Sequence, residues 1–243
     1  MNRAQFLVPV LAAALACPVS AQDSGAVDET QNETANADDA SDFVGRYNGN
    51  SFETAMGMII REDGTFAWGA SVGALDLRAE GTWHQDGASI TLLSDPVPVA
   101  PEFGWSGFEK TPDGPLIKVV WATNGNPFQH ASVKMTCRNG GEFYDHVPAE
   151  GWSPPAGECD EPVDVQLTQS IYDVTSQVYD VAGPFNPGDG GTIRFEFSPN
   201  DMGVADFTGV VGVLEDGILK LSGAEWPLEL RKMPPRSADE EQP

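Results

Sequence analysis

The residues best suited to chemistry in this 243-residue chain are a serine flanked by glycines, three histidines and a large surplus of carboxylates. Gly104-Trp105-Ser106-Gly107-Phe108 approaches the G-x-S-x-G nucleophile elbow, in which a strained strand-to-helix turn exposes the serine. Phe108 stands where the final glycine belongs, and the flanks are rich in proline rather than a strand running into a helix. His84, His130 and His146 lie far apart and form neither an H-E-x-x-H pattern nor a paired-ligand spacing. Two carboxylates can hydrolyse a glycosidic bond, but among 37 acids some pair always falls close, so proximity in sequence selects none. Asp63-Gly64, Asp86-Gly87 and Asp216-Gly217 lack the D-x-D-x-D-G pattern of a calcium loop and read as turns. Gly188-Asp189-Gly190-Gly191 lacks the lysine and the following helix of a phosphate loop. No catalytic residue, metal-ligand set or cofactor motif is assigned.

Aromatic residues offer a second kind of chemistry, recognition by stacking and apolar contact. Trp68 and Trp83 fall in phase with other apolar residues of alternating segments and are expected in a core. Phe103, Trp105, Phe108, Trp152 and Phe185 fall in turn-rich segments instead. They are the candidates for a sugar- or peptide-binding surface, the alternative being that they pack one part of the protein onto another.

The elements that must position these side chains are strands. Phe43-Val44-Gly45-Arg46-Tyr47 opens the series, and Met56, Met58 and Ile60 alternate along the next segment. Asp63-Gly64 then makes a hairpin turn into the alternation Phe66, Trp68, Ala70, Val72. Leu75, Leu77, Ala79, Gly81 and Trp83 keep period two, and Asp86-Gly87 turns into Ser89-Ile90-Thr91-Leu92, a meander of about five strands. Thr192 to Phe197 alternates strictly near the other end of the chain. Ser198-Pro199-Asn200-Asp201 reads as a short helical turn, followed by strands at residues 207–213, 218–221 and 227–231. Between them lie Leu116 to Trp121 and Ala131 to Cys137 as strands, a stretch rich in proline, glycine and acid, and candidate strands at residues 163–167 and 172–181.

The expected fold is all-β: a small antiparallel barrel or sandwich assembled from residues 43–95 and 192–233, with an inserted β-sandwich-like module at residues 101–185. A continuous single sandwich or barrel is the competing arrangement. The shared core predicts that Trp68 and Phe195 are buried in one cluster, with any site in the cleft where module meets barrel.

Two resemblances bear on this arrangement. The strand of residues 116–121, then Asn124-Gly125-Asn126-Pro127, then Ala131-Ser132-Val133-Lys134-Met135-Thr136 resembles the opening of carboxypeptidase regulatory-like and transthyretin-like sandwiches, covering residues 116–140. Phe43-Val44-Gly45-Arg46-Tyr47 is similar to the lipocalin opening strand, with Tyr47 in the place of the usual tryptophan, and residues 43–93 fit an up-and-down barrel. The second resemblance implies a carrier of a small apolar ligand. Neither transfers a catalytic residue.

Compartment and charge narrow the function. Met1-Asn2-Arg3, an apolar run from Phe6 to Cys17, and Val19-Ser20-Ala21 make a signal peptide of residues 1–21 with cleavage before Gln22. Lipid attachment at Cys17, preceded by Ala14-Leu15-Ala16, is the alternative. Residues 22–42 and 234–243 are polar and acidic and read as a disordered tether and tail. No later segment is long and apolar enough to span a membrane, which places the mature chain in the periplasm or outside the cell. Cys137 and Cys159 are then the only cysteines left, and an exported chain joins them, closing a loop of about 20 residues. The formal charge of −24 repels phosphates and argues against nucleic acid. It suits cationic partners, or a protein or glycan surface of the cell envelope. The expected function is therefore non-enzymatic binding or envelope organisation, with an exported hydrolase of glycans or peptides and a lipocalin-like carrier as alternatives.

Overall fold

The computed structural model describes residues 41–182, 190–225 and 227–235. The expected signal segment, Cys17, Phe185 and most of both expected tails lie outside the described residues.

Short, tightly turned strands dominate because the sequence alternates apolar and polar residues between Asp-Gly pairs. The first five are β1 (Gly45–Asn48), β2 (Thr54–Ile60), β3 (Thr65–Val72), β4 (Leu75–Asp86) and β5 (Ser89–Ser94). Seven strands between residues 102 and 180 follow: β6 (Glu102–Glu109), β7 (Ile117–Trp121), β8 (Ser132–Cys137), β9 (Glu142–His146), β10 (Pro162–Gln169), β11 (Val174–Thr175) and β12 (Tyr179–Asp180). The last four are β13 (Thr192–Ser198), β14 (Val210–Glu215), β15 (Ile218–Ser222) and β16 (Leu228–Lys232). At the β14–β15 turn both central residues, Asp216 at φ 49° and Gly217 at φ 74°, are left-handed, the geometry a two-residue hairpin needs to match strand twist.

β1 to β5 and β14 to β16 close into an eight-stranded antiparallel barrel, in which β1 pairs with β16 and β5 with β14. Closure satisfies the edges that an open sheet would expose. Period-two alternation sends Phe66, Trp68 and Ala70 of β3, Ile90 and Leu92 of β5, and Leu219 and Leu221 of β15 into one buried cluster. A bore of eight strands is just wide enough for side chains to fill. Phe207, which precedes β14, joins them with its ring centroid 5.8 Å from Phe66 and 5.1 Å from Trp68.

β6 to β13 form a module of two sheets. One has the order β11-β10-β8-β9 with β12 also on β10, and the other the order β6-β13-β7. Val133, Met135, Val165 and Leu167 from the first sheet meet Phe103, Val119, Ile193 and Phe195 from the second in a single buried cluster. This is sandwich packing, two apolar faces closed on each other.

Four expectations are corrected here. Thr192–Ser198 pairs antiparallel with β6 and parallel with β7, so it belongs to the module and not to the barrel. Trp68 and Phe195 consequently lie in two separate cores, so the shared core that argued for a site in the cleft between module and barrel is absent. Alternation dictates that one face of a strand is buried but not against which partner, and the partner β6 is masked in sequence by its two glycines and proline-rich flanks. Residues 199–203 form consecutive turns rather than a helical turn, and residues 172–181 yield only the two-residue strands β11 and β12.

Cys137 and Cys159 are joined in a disulfide. It ties the end of β8 to the proline-rich loop before β10, where Arg138 donates to both carboxylate oxygens of Glu161 at 2.6 and 2.7 Å. That guanidinium holds the Glu161 carboxyl below the usual carboxylate range. In the chain-entropy model a cross-link spanning 22 residues contributes about 3 kcal/mol. The double substitution Cys137→Ser with Cys159→Ser is expected to lose that amount in urea denaturation, and a loss below about 1 kcal/mol would contradict the account.

Candidate functional site

The aromatic candidates are gathered into the module's interior. Phe103 and Trp152 are 5% and 7% exposed members of its core, and Trp105 and Phe108 pack against the same cluster. The Phe103 ring lies 4.8 Å from that of Phe197, and Trp105 makes edge contact with Tyr179 at 6.2 Å. The Trp152 indole N–H donates to Asp145 Oδ2 at 2.9 Å, which holds that carboxyl below its usual range. Packing, rather than display on a surface, describes all four. Their segments read as turn-rich, but Glu102–Glu109 is a strand and Trp152 exchanges backbone hydrogen bonds with Ile117.

Ser106 sits on that strand, where its hydroxyl donates to Glu196 Oε1 at 2.7 Å, and no strand-to-helix elbow surrounds it. Among the described residues no group of three or more histidine, cysteine, aspartate or glutamate side chains could hold a metal ion.

A different place in the fold carries the geometry of a site. β4 is twelve residues long and β5 only six, and β5 pairs with Gly81 to Asp86 alone. The chain leaves the barrel wall at Asp95, beside Glu80, whose carbonyl accepts from the Asp95 N–H at 3.3 Å. The other half of β4 is therefore without its β5 neighbour. The segment returning from the module covers part of the gap: Arg78 N–H donates to the Gly203 carbonyl and Ala205 N–H to the Arg78 carbonyl, each at 2.8 Å.

The outgoing and returning segments are laced together at this point. Val99 N–H donates to Asp201 Oδ2 at 2.8 Å, Asp201 N–H to the Val99 carbonyl at 3.1 Å, and Asn200 Nδ2 to the Ala100 carbonyl at 2.7 Å. What remains open is a recess of about 300 Å³ between the barrel wall and these segments. Pro96, Pro98 and Val204 give it apolar sides, Ala67 and Trp68 belong to its barrel wall, and Arg78, Glu80 and Asp201 carry its charges. A second recess of about 300 Å³ shares Glu80 and is lined by Arg61, Thr65, Thr82 and Asp95.

Two features stand out around the first recess. Behind its wall the Trp68 side chain lies in the barrel core, only 3% exposed, and its indole N–H has no hydrogen-bond partner among the described residues. A buried donor left unpaired costs about 1–3 kcal/mol, so native structures keep few of them. Arg78 makes no ion pair among the described residues, although the chain has 24 more acidic than basic charges. The described lining holds no serine, threonine, cysteine, histidine or lysine, the usual nucleophiles and proton carriers.

Sequence reasoning placed Trp68 on a core-facing strand, but it did not single out Arg78, Glu80, Pro96, Pro98 or Asp201. The one local signal was Asp95-Pro96-Val97-Pro98-Val99-Ala100-Pro101, a run that cannot continue β5 as a paired strand.

Fold and recess together define an up-and-down antiparallel barrel of eight strands with a two-sheet module between its fifth and sixth, and a small-molecule-sized recess at the root of that module. The chain matches no protein-family model, no curated protein and no solved structure.

Proposed function

We propose that this chain is an exported, non-enzymatic binding protein that takes a small ligand into the recess at the root of the module. The observation that carries the reading is the recess itself, a concavity of about 300 Å³ with apolar sides from Pro96, Pro98 and Val204 and with Arg78, which makes no ion pair among the described residues. Ligand sites are concave, mostly apolar and equipped with a few polar groups that fix orientation. Export is supported by the apolar run from Phe6 to Cys17 followed by Val19-Ser20-Ala21, and by the disulfide, a bond that persists in oxidising compartments. A hydrolase built on serine, cysteine or histidine finds none of these in the lining, while one built on paired carboxylates would have Glu80 and Asp201. A lipocalin-like carrier needs an open bore, and this bore is occupied by Phe66, Trp68 and Phe207.

The reading is tested by NMR on protein carrying ¹⁵N-labelled indoles, titrated with a panel of amino acids, dipeptides, mono- and disaccharides and short carboxylic acids. With six tryptophans in the chain, a ligand of this recess is expected to move the Trp68 indole signal more than the other five. A panel in which no member moves it, or moves only the module tryptophans, overturns the assignment.

A further inference from the structure

We infer that two copies of this chain pair through their β9 strands, joining their modules into one continuous sheet across a two-fold axis. This surface is separate from the recess and does not depend on the binding reading above. β9 is the edge of its sheet and pairs only with β8. Cys137 N–H donates to the Gly141 carbonyl at 2.8 Å and Val147 N–H to the Ala131 carbonyl at 2.9 Å. Both pairs continue the β8–β9 register, so residues 141, 143, 145 and 147 direct their main-chain groups to β8. Glu142, Tyr144 and His146 therefore turn their N–H and C=O groups to the open side. The His146 N–H is held by Asp145 Oδ1 at 2.8 Å, and the N–H groups of Glu142 and Tyr144 have no partner among the described residues.

The other described edges of the module are blunted. β11 and β12 are each only two residues long. β6 carries a bulge at Ser106, which is skipped where Arg194 faces Gly107 and Phe195 faces Trp105, and its Phe103 carbonyl accepts the Tyr179 hydroxyl. β7 is bridged at Ile117 by Trp152 and at Val120 by Pro127. β9 has five residues with no proline, lysine or bulge, the devices that keep an edge from pairing. Asp145, the charge in phase with the inward Phe143, is engaged by the Trp152 indole N–H and the His146 N–H.

The side chains of β9 select a second copy as the occupant. When two β9 strands run antiparallel with their Tyr144 residues opposite each other, Glu142 of each copy falls opposite His146 of the other. Carboxylate then meets imidazole, which can offer it an N–H in either protonation state. Tyr144, 70% exposed in the single chain, gains an aromatic cross-strand partner at the centre. The two Tyr144 residues exchange main-chain bonds, and each Glu142 N–H reaches the His146 carbonyl of the other copy. Moving the register by two residues loses the Glu142–His146 pairs, so the strand favours one alignment.

Sedimentation equilibrium at about 0.15 M salt, where the charge of −24 on each copy is screened beyond about 8 Å, measures the association. Glu142→Lys leaves two donors opposite each other and His146→Glu two carboxylates, and each is expected to raise the dimer Kd at least about tenfold. The double variant Glu142→Lys with His146→Glu restores complementary pairs and is expected to return Kd to within about threefold of the unsubstituted protein. All three variants should fold normally, since both side chains are exposed, and an unchanged thermal midpoint checks this. Hydrogen exchange at the Glu142 and Tyr144 amides is expected to slow as protein concentration rises, while Phe143 and Asp145, already bonded to β8, stay unchanged. A protein that is monomeric up to about 1 mM, a dimer whose Kd ignores both single substitutions, or a double variant no tighter than the single ones overturns the inference. A monomer whose Glu142 and Tyr144 amides slow only when polylysine is added assigns the edge to a cationic strand and overturns self-pairing.

Discussion

Replacing Phe207 with alanine is expected to destabilise the protein by about 3–5 kcal/mol, the range for truncating a buried phenylalanine. Phe207 lies on the segment that returns from the module, yet its side chain is 2% exposed and packs into the barrel core. It stacks on Phe66 and tilts against Trp68, pairs that add to the area they bury. Its entry is fixed on both sides by side chains: Phe207 N–H donates to the buried Ser94 hydroxyl at 2.7 Å, and Thr208 N–H donates to Asp206 Oδ1 at 2.8 Å. Hydrogen bonds from the Thr208 hydroxyl and N–H hold the Asp206 carboxyl below its usual range. Phe207 thus anchors the returning segment in the barrel core, and its loss leaves a cavity beside Trp68. Urea denaturation measures the cost, and Phe52→Ala, at a residue 90% exposed, is the control expected to stay within about 0.5 kcal/mol. A Phe207→Ala loss below about 1 kcal/mol would mean that the barrel does not depend on this ring.

Much of the barrel is legible in sequence, and the reasons are local. Phe66, Trp68 and Ala70 alternate between two Gly-containing turns, and a strand so patterned has only one face to bury. Asp216-Gly217 can occupy two left-handed positions in succession, which few other pairs can. The disulfide followed from counting cysteines in a chain expected to be exported. Partnership between distant segments is a different matter. Thr192–Ser198 has the alternation of a barrel strand, and nothing in its seven bulky or polar side chains distinguishes the barrel core from the module core. Its true neighbour β6 has glycines at 104 and 107, the second opposite Arg194 at the edge of a register shift, so its pattern breaks where it would have been recognised.

The recess was less legible still, because it is made by what is missing. Arg78 and Glu80 look like ordinary exposed residues of a long strand, and Asp201 like part of a turn. They acquire a common role only because β5 stops halfway along β4 and two linkers, about a hundred residues apart in sequence, cross the gap. Such a site has no motif. Its signs are the mismatch of two paired strand lengths and the prolines that end the shorter one.

The position that governs this mismatch is Gly81, and Gly81→Ala is expected to destabilise the protein by at least about 3 kcal/mol, the upper end for an overpacked interior site. Gly81 is the β4 residue opposite Ser94, the last residue of β5, and it adjoins the exit of the chain at Asp95. A Cβ at this position would lie 2.0 Å from the Leu93 carbonyl oxygen and 2.9 Å from the Asp95 nitrogen. Both are main-chain atoms, so no rotamer change relieves the clash, and the two strands must part where the barrel wall already ends. Gly87 provides the comparison, since it is left-handed at φ 58° but an added Cβ there meets nothing within 4 Å. Gly87→Ala is expected to cost only the conformational penalty, about 1–2 kcal/mol. Equal losses at the two positions would mean that backbone conformation, not close approach, requires glycine at 81. The excess at Gly81 would instead show that the strands are held at a separation that admits no side chain. That separation sets where β5 diverges, and therefore where the recess beside Arg78 and Glu80 begins. A variant that folds despite the clash is expected to show a displaced Trp68 indole signal before any ligand is added.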